Sequence, residues 1–142
     1  MTVYIDTSFL VSLYSPDANS HAAGRTMRRT DRQHLISTLV ELEAANALEL
    51  RVHRKEITGS QANASWETLA QHVAQGVWIL RPLPEQIFER ARLLSRQTTA
   101  RLGTGTADLL HVAAALEFGC DSLYSYDRHQ RTLAREVRLK LN

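Results

Sequence analysis

Four acids, Asp6, Glu43, Asp108 and Asp127, are the residues of this chain best placed to do chemistry. Val3, Tyr4 and Ile5 favour a buried strand, and Asp6 is the first polar residue after them. Ser122 to Tyr126 repeats that pattern and ends at Asp127. Ligands of open α/β sheets bind outside the carboxyl ends of the strands, so both acids belong on one rim. Glu43 and Asp108 fall in the first turns of helices that start near that rim. Ala44, Ala45 and Ala47 beside Glu43 permit close packing, and Leu109, Leu110, Val112 and Ala113 surround Asp108. Each acid has a second explanation. Asp6 and Asp127 can serve as N-caps, Asp108 suits the helix dipole, and Glu43 can be a solvated helix residue. Taken together, four converging carboxylates repel unless a cation neutralises them. An all-oxygen set selects a hard ion, Mg²⁺ or Mn²⁺, which takes substrate phosphate oxygens as further ligands. That is the chemistry of phosphodiester hydrolysis.

Other residues surround this set. Ser8 can orient Asp6 or a water, or act as a turn hydroxyl. His111, one turn after Asp108, can touch Asp108 or a nucleic-acid substrate, or be a packing residue. Asn46 stands in the same relation to Glu43. Nearly all basic residues are arginines, which grip phosphate with two parallel bonds. Arg25, Arg28, Arg29 and Arg128 are the first candidates for phosphate contact. Trp66 and Trp78 read as core or interface, not as stacking platforms.

The elements that must hold these residues alternate. After Asp6 a helix runs from Ser8 to Tyr14 and breaks near Pro16, and Arg25 to Arg32 is a basic helical stretch. His34 to Ile36 is a strand. Thr38 and Glu41 fit a capping box, which accounts for Glu41 and leaves Glu43 as the candidate ligand. Leu42, Ala45, Leu48 and Val52 form the apolar stripe of that helix. Thr58 with Gln61 caps the next, whose stripe is Ala62, Trp66, Leu69 and Val73 and whose stop is Gly76. Val77 to Leu80 is an edge strand beside Pro82 and Pro84. A helix through Ile87, Ala91 and Leu94 fades near Thr98. A loop from Arg101 to Thr106 precedes the buried helix Ala107 to Phe118, and Asp127 with Gln130 caps the helix Arg128 to Arg135. Val137 to Leu141 is a half-exposed edge strand. This order predicts a parallel sheet covered on both faces, with the helical pair between Ile36 and Gly76 protruding.

The totals exclude several classes. With 142 residues, 44% hydrophobic and 23% charged, the chain reads as one soluble domain over 1–142. Cys120 is the only cysteine, so neither an internal disulfide nor a zinc cluster is expected, and a cytoplasmic setting follows. There is no signal peptide and no apolar run long enough for a membrane.

The stretches YIDTSFL, ISTLVELEAANAL, GTGTADLLHVAAAL and LYSYDRHQRTLA resemble, in order, the motifs of PIN-domain ribonucleases, in particular VapC-like toxins of bacterial toxin–antitoxin pairs. The resemblance implies an α/β/α sandwich with a central five-stranded parallel sheet. It implies an Mg²⁺- or Mn²⁺-dependent endoribonuclease in which a metal-activated water attacks the RNA phosphodiester. It assigns Asp6, Glu43, Asp108 and Asp127 as both metal and catalytic acids, with Ser8 as the hydroxyl two residues after the first Asp. It also implies a homodimer held by a cognate antitoxin. Two positions depart: Ser125 stands where Thr is frequent, and Gly105 where many relatives carry an Arg that contacts phosphate or partner. The rivals are a non-catalytic RNA- or partner-binding module, and a metal-dependent phosphatase. An aspartyl-nucleophile phosphatase needs a D-x-D pair, which Asp6-Thr7-Ser8 lacks.

Overall fold

The computed structural model describes all residues, 1–142. Its sheet is built from β1 (Thr2–Ile5), β2 (Gln33–Ser37), β3 (Ile79–Arg81), β4 (Ser122–Tyr124) and β5 (Lys140–Leu141), in the order β3-β2-β1-β4-β5. Every pairing is parallel. β1 is central, and Val3, Tyr4 and Ile5 have no exposed surface, as expected of a strand covered on both faces. The helices are α1 (Thr7–Tyr14), α2 (Ser20–Arg28), α3 (Thr38–His53), α4 (Gly59–Ala74), α5 (Gln86–Leu102), α6 (Thr106–Glu117) and α7 (Arg128–Glu136). They pack in two groups, α1 with α2, α3 and α4, and α5 with α6 and α7. Right-handed crossovers put the two groups on opposite faces of the sheet, giving the α/β/α sandwich. One core runs from Val3 to Leu139 and takes in both faces. No helix is long and apolar enough to cross a membrane.

Several local expectations are corrected. Ser37, not Thr38, caps α3: its Oγ accepts from Val40 N at 3.3 Å, while Thr38 Oγ1 accepts from Leu83 N at 3.3 Å. The buried stripe of α3 is therefore Val40, Ala44 and Leu48, and Leu42 is 67% exposed. The α3–α4 pair does not stand clear of the body, because Leu48, Ala62 and Leu69 are buried and α4 also packs on α1. The box of Thr58 and Gln61 is present as predicted. α5 continues to Leu102 and stops at Gly103, whose φ of 67° is a left-handed conformation that glycine adopts without a Cβ penalty. α6 starts after Gly105, with Thr106 inside the helix and no side-chain cap. The last strand is only Lys140–Leu141, because α7 runs to Glu136 and Arg138 turns the chain at φ 65°.

Candidate active site

The β1–α1 junction builds the first part of the site. Asp6 caps α1, its Oδ1 accepting from Phe9 N at 2.9 Å. Ser8 Oγ lies 2.8 and 2.9 Å from its two oxygens, and Ser125 Oγ donates to Oδ2 at 2.8 Å. Asp6 is wholly buried, and this burial pushes its carboxyl above the ordinary value, against the opposing pull of His111, Phe9 N and the two serines. Ser8 thus has the orienting contact to Asp6 that was read for it, and it also accepts from Tyr126 N at 2.9 Å.

The β4–α7 junction repeats the plan with a different outcome. Asp127 Oδ1 accepts from Gln130 N at 2.9 Å, so this acid too is a cap. Its own N–H donates to Ser125 Oγ at 3.0 Å, and its side is half-buried. Gln130 Nε2 donates to Asp108 Oδ1 at 3.1 Å. Asp108 is held above its ordinary value by burial and by the charge of Asp127, with the Gln130 bond opposing. Glu43 Oε1 accepts from Thr7 Oγ1 at 2.7 Å and from His111 Nε2. Burial pushes Glu43 up, but its contacts to His111 and Thr7 outweigh that and leave it below the ordinary value.

These bonds run from Asp6 to Asp127 to Asp108, and Glu43 joins them through Thr7, the residue next to Asp6 in the chain. Asp6 shares Ser125 with Asp127, and Asp127 shares Gln130 with Asp108. No lysine or arginine is ion-paired with any of the four acids. No group of three or more His, Cys, Asp and Glu side chains is arranged as a ready-made metal cage. The donor chemistry nevertheless suits a hard divalent ion: all four are carboxylates, none paired with a lysine or arginine, and Glu43, Asp108 and Asp127 each make their bonds through one oxygen.

The remaining predicted residues divide. His111 is buried and reaches Glu43, not Asp108. Asn46 is exposed on α3. Arg25 and Arg29 line a groove of about 570 Å³ with Tyr124, Tyr126, Arg131 and Asn142. Arg28 turns back along α2 towards Gly24, and exposed Arg128 opens α7 beside Asp127. Trp78 is core, with Nε1 donating to Tyr14 OH at 2.6 Å. Gly105 leaves open space in front of Asp108: a Cβ there would meet Asp108 Oδ2 at 3.6 Å. Sequence reasoning missed Thr7, Gln130, Tyr4 and Arg131. For Gln130 a signal existed, since a capping partner one turn into α7 is also within reach of a neighbouring helix end. Arg131 donates to Ser125 O at 2.7 Å and so steadies the residue shared by two acids.

The comparisons with known proteins identify the fold and the family. The family model for the PIN domain matches residues 3–136. Among solved structures, the chain is similar to Mycobacterium tuberculosis VapC20, a sarcin–ricin loop-cleaving toxin. The two are 17% identical over 92% of this chain and 94% of that one, with a TM-score of 0.72. VapBC2 from Rickettsia felis, bound to a DNA fragment from its promoter, is 16% identical over 100% and 98%, with a TM-score of 0.69. FitAcB from Neisseria gonorrhoeae is 16% identical over 98% and 95%, with a TM-score of 0.66. No curated protein matches the chain by sequence. With the model covering almost its full length, the chain belongs to the PIN-domain family.

Proposed function

We propose that the protein is a divalent-metal-dependent endoribonuclease and the toxin of a toxin–antitoxin pair. The observation that carries the reading is the line of four acids, linked through Thr7, Ser125 and Gln130 and paired with no lysine or arginine. Glu43, Asp108 and Asp127 would hold Mg²⁺ or Mn²⁺, with Asp6 supplying buried negative charge beside them. Such an ion, when bound, activates water for in-line attack on phosphorus and stabilises charge on the phosphoryl oxygens. The protein's own part is preorganisation. Ser8 and Ser125 fix Asp6, Thr7 and His111 fix Glu43, and Gln130 fixes Asp108, so little reordering accompanies binding. Arg25, Arg29 and Arg131 would bind substrate phosphates in the adjacent groove. The products would carry 5′-phosphate and 3′-hydroxyl ends.

The partner reading follows from the neighbours, several of which were solved as toxin–antitoxin complexes. An apolar groove of about 470 Å³, lined by Leu13, Tyr14, Met27, Val77 and Trp78 and walled by α4, is the surface we assign to an antitoxin helix. Exposed Leu42, Phe88 and Leu93 suit a homodimer. RNA as substrate implies action in the cytoplasm. The direct test is cleavage of RNA with Mg²⁺ or Mn²⁺ and its loss on chelation. Cleavage that persists in excess chelator would contradict the reading. Light scattering of the isolated protein, and co-purification with the product of an adjacent reading frame, test the dimer and the antitoxin.

A further inference from the structure

We propose that His111, backed by Tyr4 and Ser37, is a positioning residue that aims the Glu43 carboxylate into the acid cluster. The proposal rests on the metal-site reading above. α6 is otherwise apolar around this point: Leu109, Val112, Ala113, Ala114 and Ala115 are all buried. An imidazole at that depth costs free energy unless its nitrogens are bonded, and here both are. Nδ1 lies 3.1 Å from Tyr4 OH, and Nε2 meets Glu43 Oε1. A carboxylate only accepts, so Nε2 carries a hydrogen towards Glu43, and Nδ1 is held by Tyr4 OH. Tyr4 OH lies 2.7 Å from Ser37 Oγ, which in turn accepts from Val40 N. Every polar group in this chain then has a partner: Val40 N donates to Ser37, Ser37 bonds Tyr4, Tyr4 bonds His111, and His111 donates to Glu43.

The chain has one outlet. Tyr4, Ser37 and His111 are buried at 1% exposure or less, and they end on an acid whose side chain is 32% exposed. A tyrosine in the centre of β1 gains nothing over phenylalanine from packing, and its hydroxyl bonds only to Ser37 and His111. Ser37 also caps α3, the helix that carries Glu43. One hydroxyl therefore fixes both where that helix begins and, through two rings, where its acid points. Glu43 has a long side chain with freedom to turn to solvent, so an imposed direction is what a metal ligand needs.

The test is Mn²⁺ affinity, measured by calorimetry on the full chain. His111→Leu fills the space without a donor and should weaken Mn²⁺ binding on the order of 10–100-fold. His111→Gln keeps a donor towards Glu43 and should bind more nearly as wild type does. Tyr4→Phe removes only the backing bond and should fall between them, and it carries the test should the leucine variant not fold. In a Glu43→Gln background, His111→Leu should cost no further affinity, because its effect passes through Glu43. A folded His111→Leu or Tyr4→Phe that binds Mn²⁺ as wild type does overturns the proposal alone. So does a full additional loss in the Glu43→Gln background. A wild type that binds no Mn²⁺ overturns the nuclease reading as well.

Discussion

Asp6 and Asp127 have the same local design and different fates. Each follows a buried strand, each caps the next helix through one oxygen at 2.9 Å, and both share Ser125. Asp6 is sealed, with serine hydroxyls on both oxygens and no exposed surface. Asp127 uses a single oxygen and keeps its side partly open. The difference comes from what lies above each rim position. Ser125 and Ser8, the latter held by Tyr126 N, cap the Asp6 carboxyl, whereas the Asp127 carboxyl has only the Gln130 N–H. One motif therefore leaves a fully buried carboxylate at one strand and a partly accessible one at the other.

The largest effect should be on catalysis, and it should not separate the two. Asn caps a helix as well as Asp does, so Asp6→Asn and Asp127→Asn keep the cap while each removes a charge. RNA cleavage should fall on the order of 10–100-fold for each variant, one losing a ligand and the other the buried charge beside it. Single-turnover cleavage assays check this. A variant with wild-type cleavage would show that its acid is only a cap.

Stability should separate them. Asp6 holds its proton above the ordinary value of 3.8, so the folded chain binds that proton more tightly than the unfolded chain. The stability this supplies is full below about pH 3.8 and is lost as pH rises through the folded value. At pH 7 without metal, Asp6→Asn should therefore stabilise, read as a higher Tm than wild type. The gain should shrink as the pH is lowered towards 3.8. Glu43 has the opposite sign: its stabilising contribution is present above its ordinary 4.5 and lost as pH falls. Glu43→Gln should thus destabilise at neutral pH. Thermal melts from pH 4 to pH 8 would read both signs. Equal melting curves for Asp6→Asn and Asp127→Asn at every pH would erase the distinction.

How much of this was legible in the sequence depends on distance along the chain. The strand–acid–helix pattern at Asp6 and Asp127 needs only neighbours, and so does the parallel order of the sheet. The braces are not local. Thr7 reaches Glu43 across 36 positions, Gln130 reaches Asp108 across 22, and Tyr4 reaches His111 across 107. No periodicity encodes such contacts, and the one-turn spacing of His111 from Asp108 does not reveal its bond to Glu43. The α3 stripe slipped for a similar reason: Leu42 fits the helical period, but Ser37 starts the helix one residue early and turns Val40, Ala44 and Leu48 inward.

A smaller effect concerns the arginine groove, which is tied to the acids through Arg131 and Ser125 and through Tyr126 N and Ser8. RNA affinity should fall as salt rises. Arg25→Gln and Arg29→Gln should each reduce the slope of log affinity against log salt by about 0.7, the value for one phosphate contact on a single strand. Fluorescence anisotropy at several salt concentrations measures it. Unchanged slopes would move the phosphate path away from α2.

The central claim is that the four linked acids form a divalent-metal site, and thermal melts with and without Mg²⁺ test it most directly. Wild type should gain about 2.7 kcal/mol of stability at a Mg²⁺ concentration a hundredfold above its dissociation constant. Asp127→Asn, its cap intact, should gain much less at the same concentration. An Asp127→Asn protein that responds to Mg²⁺ as fully as wild type would contradict the account.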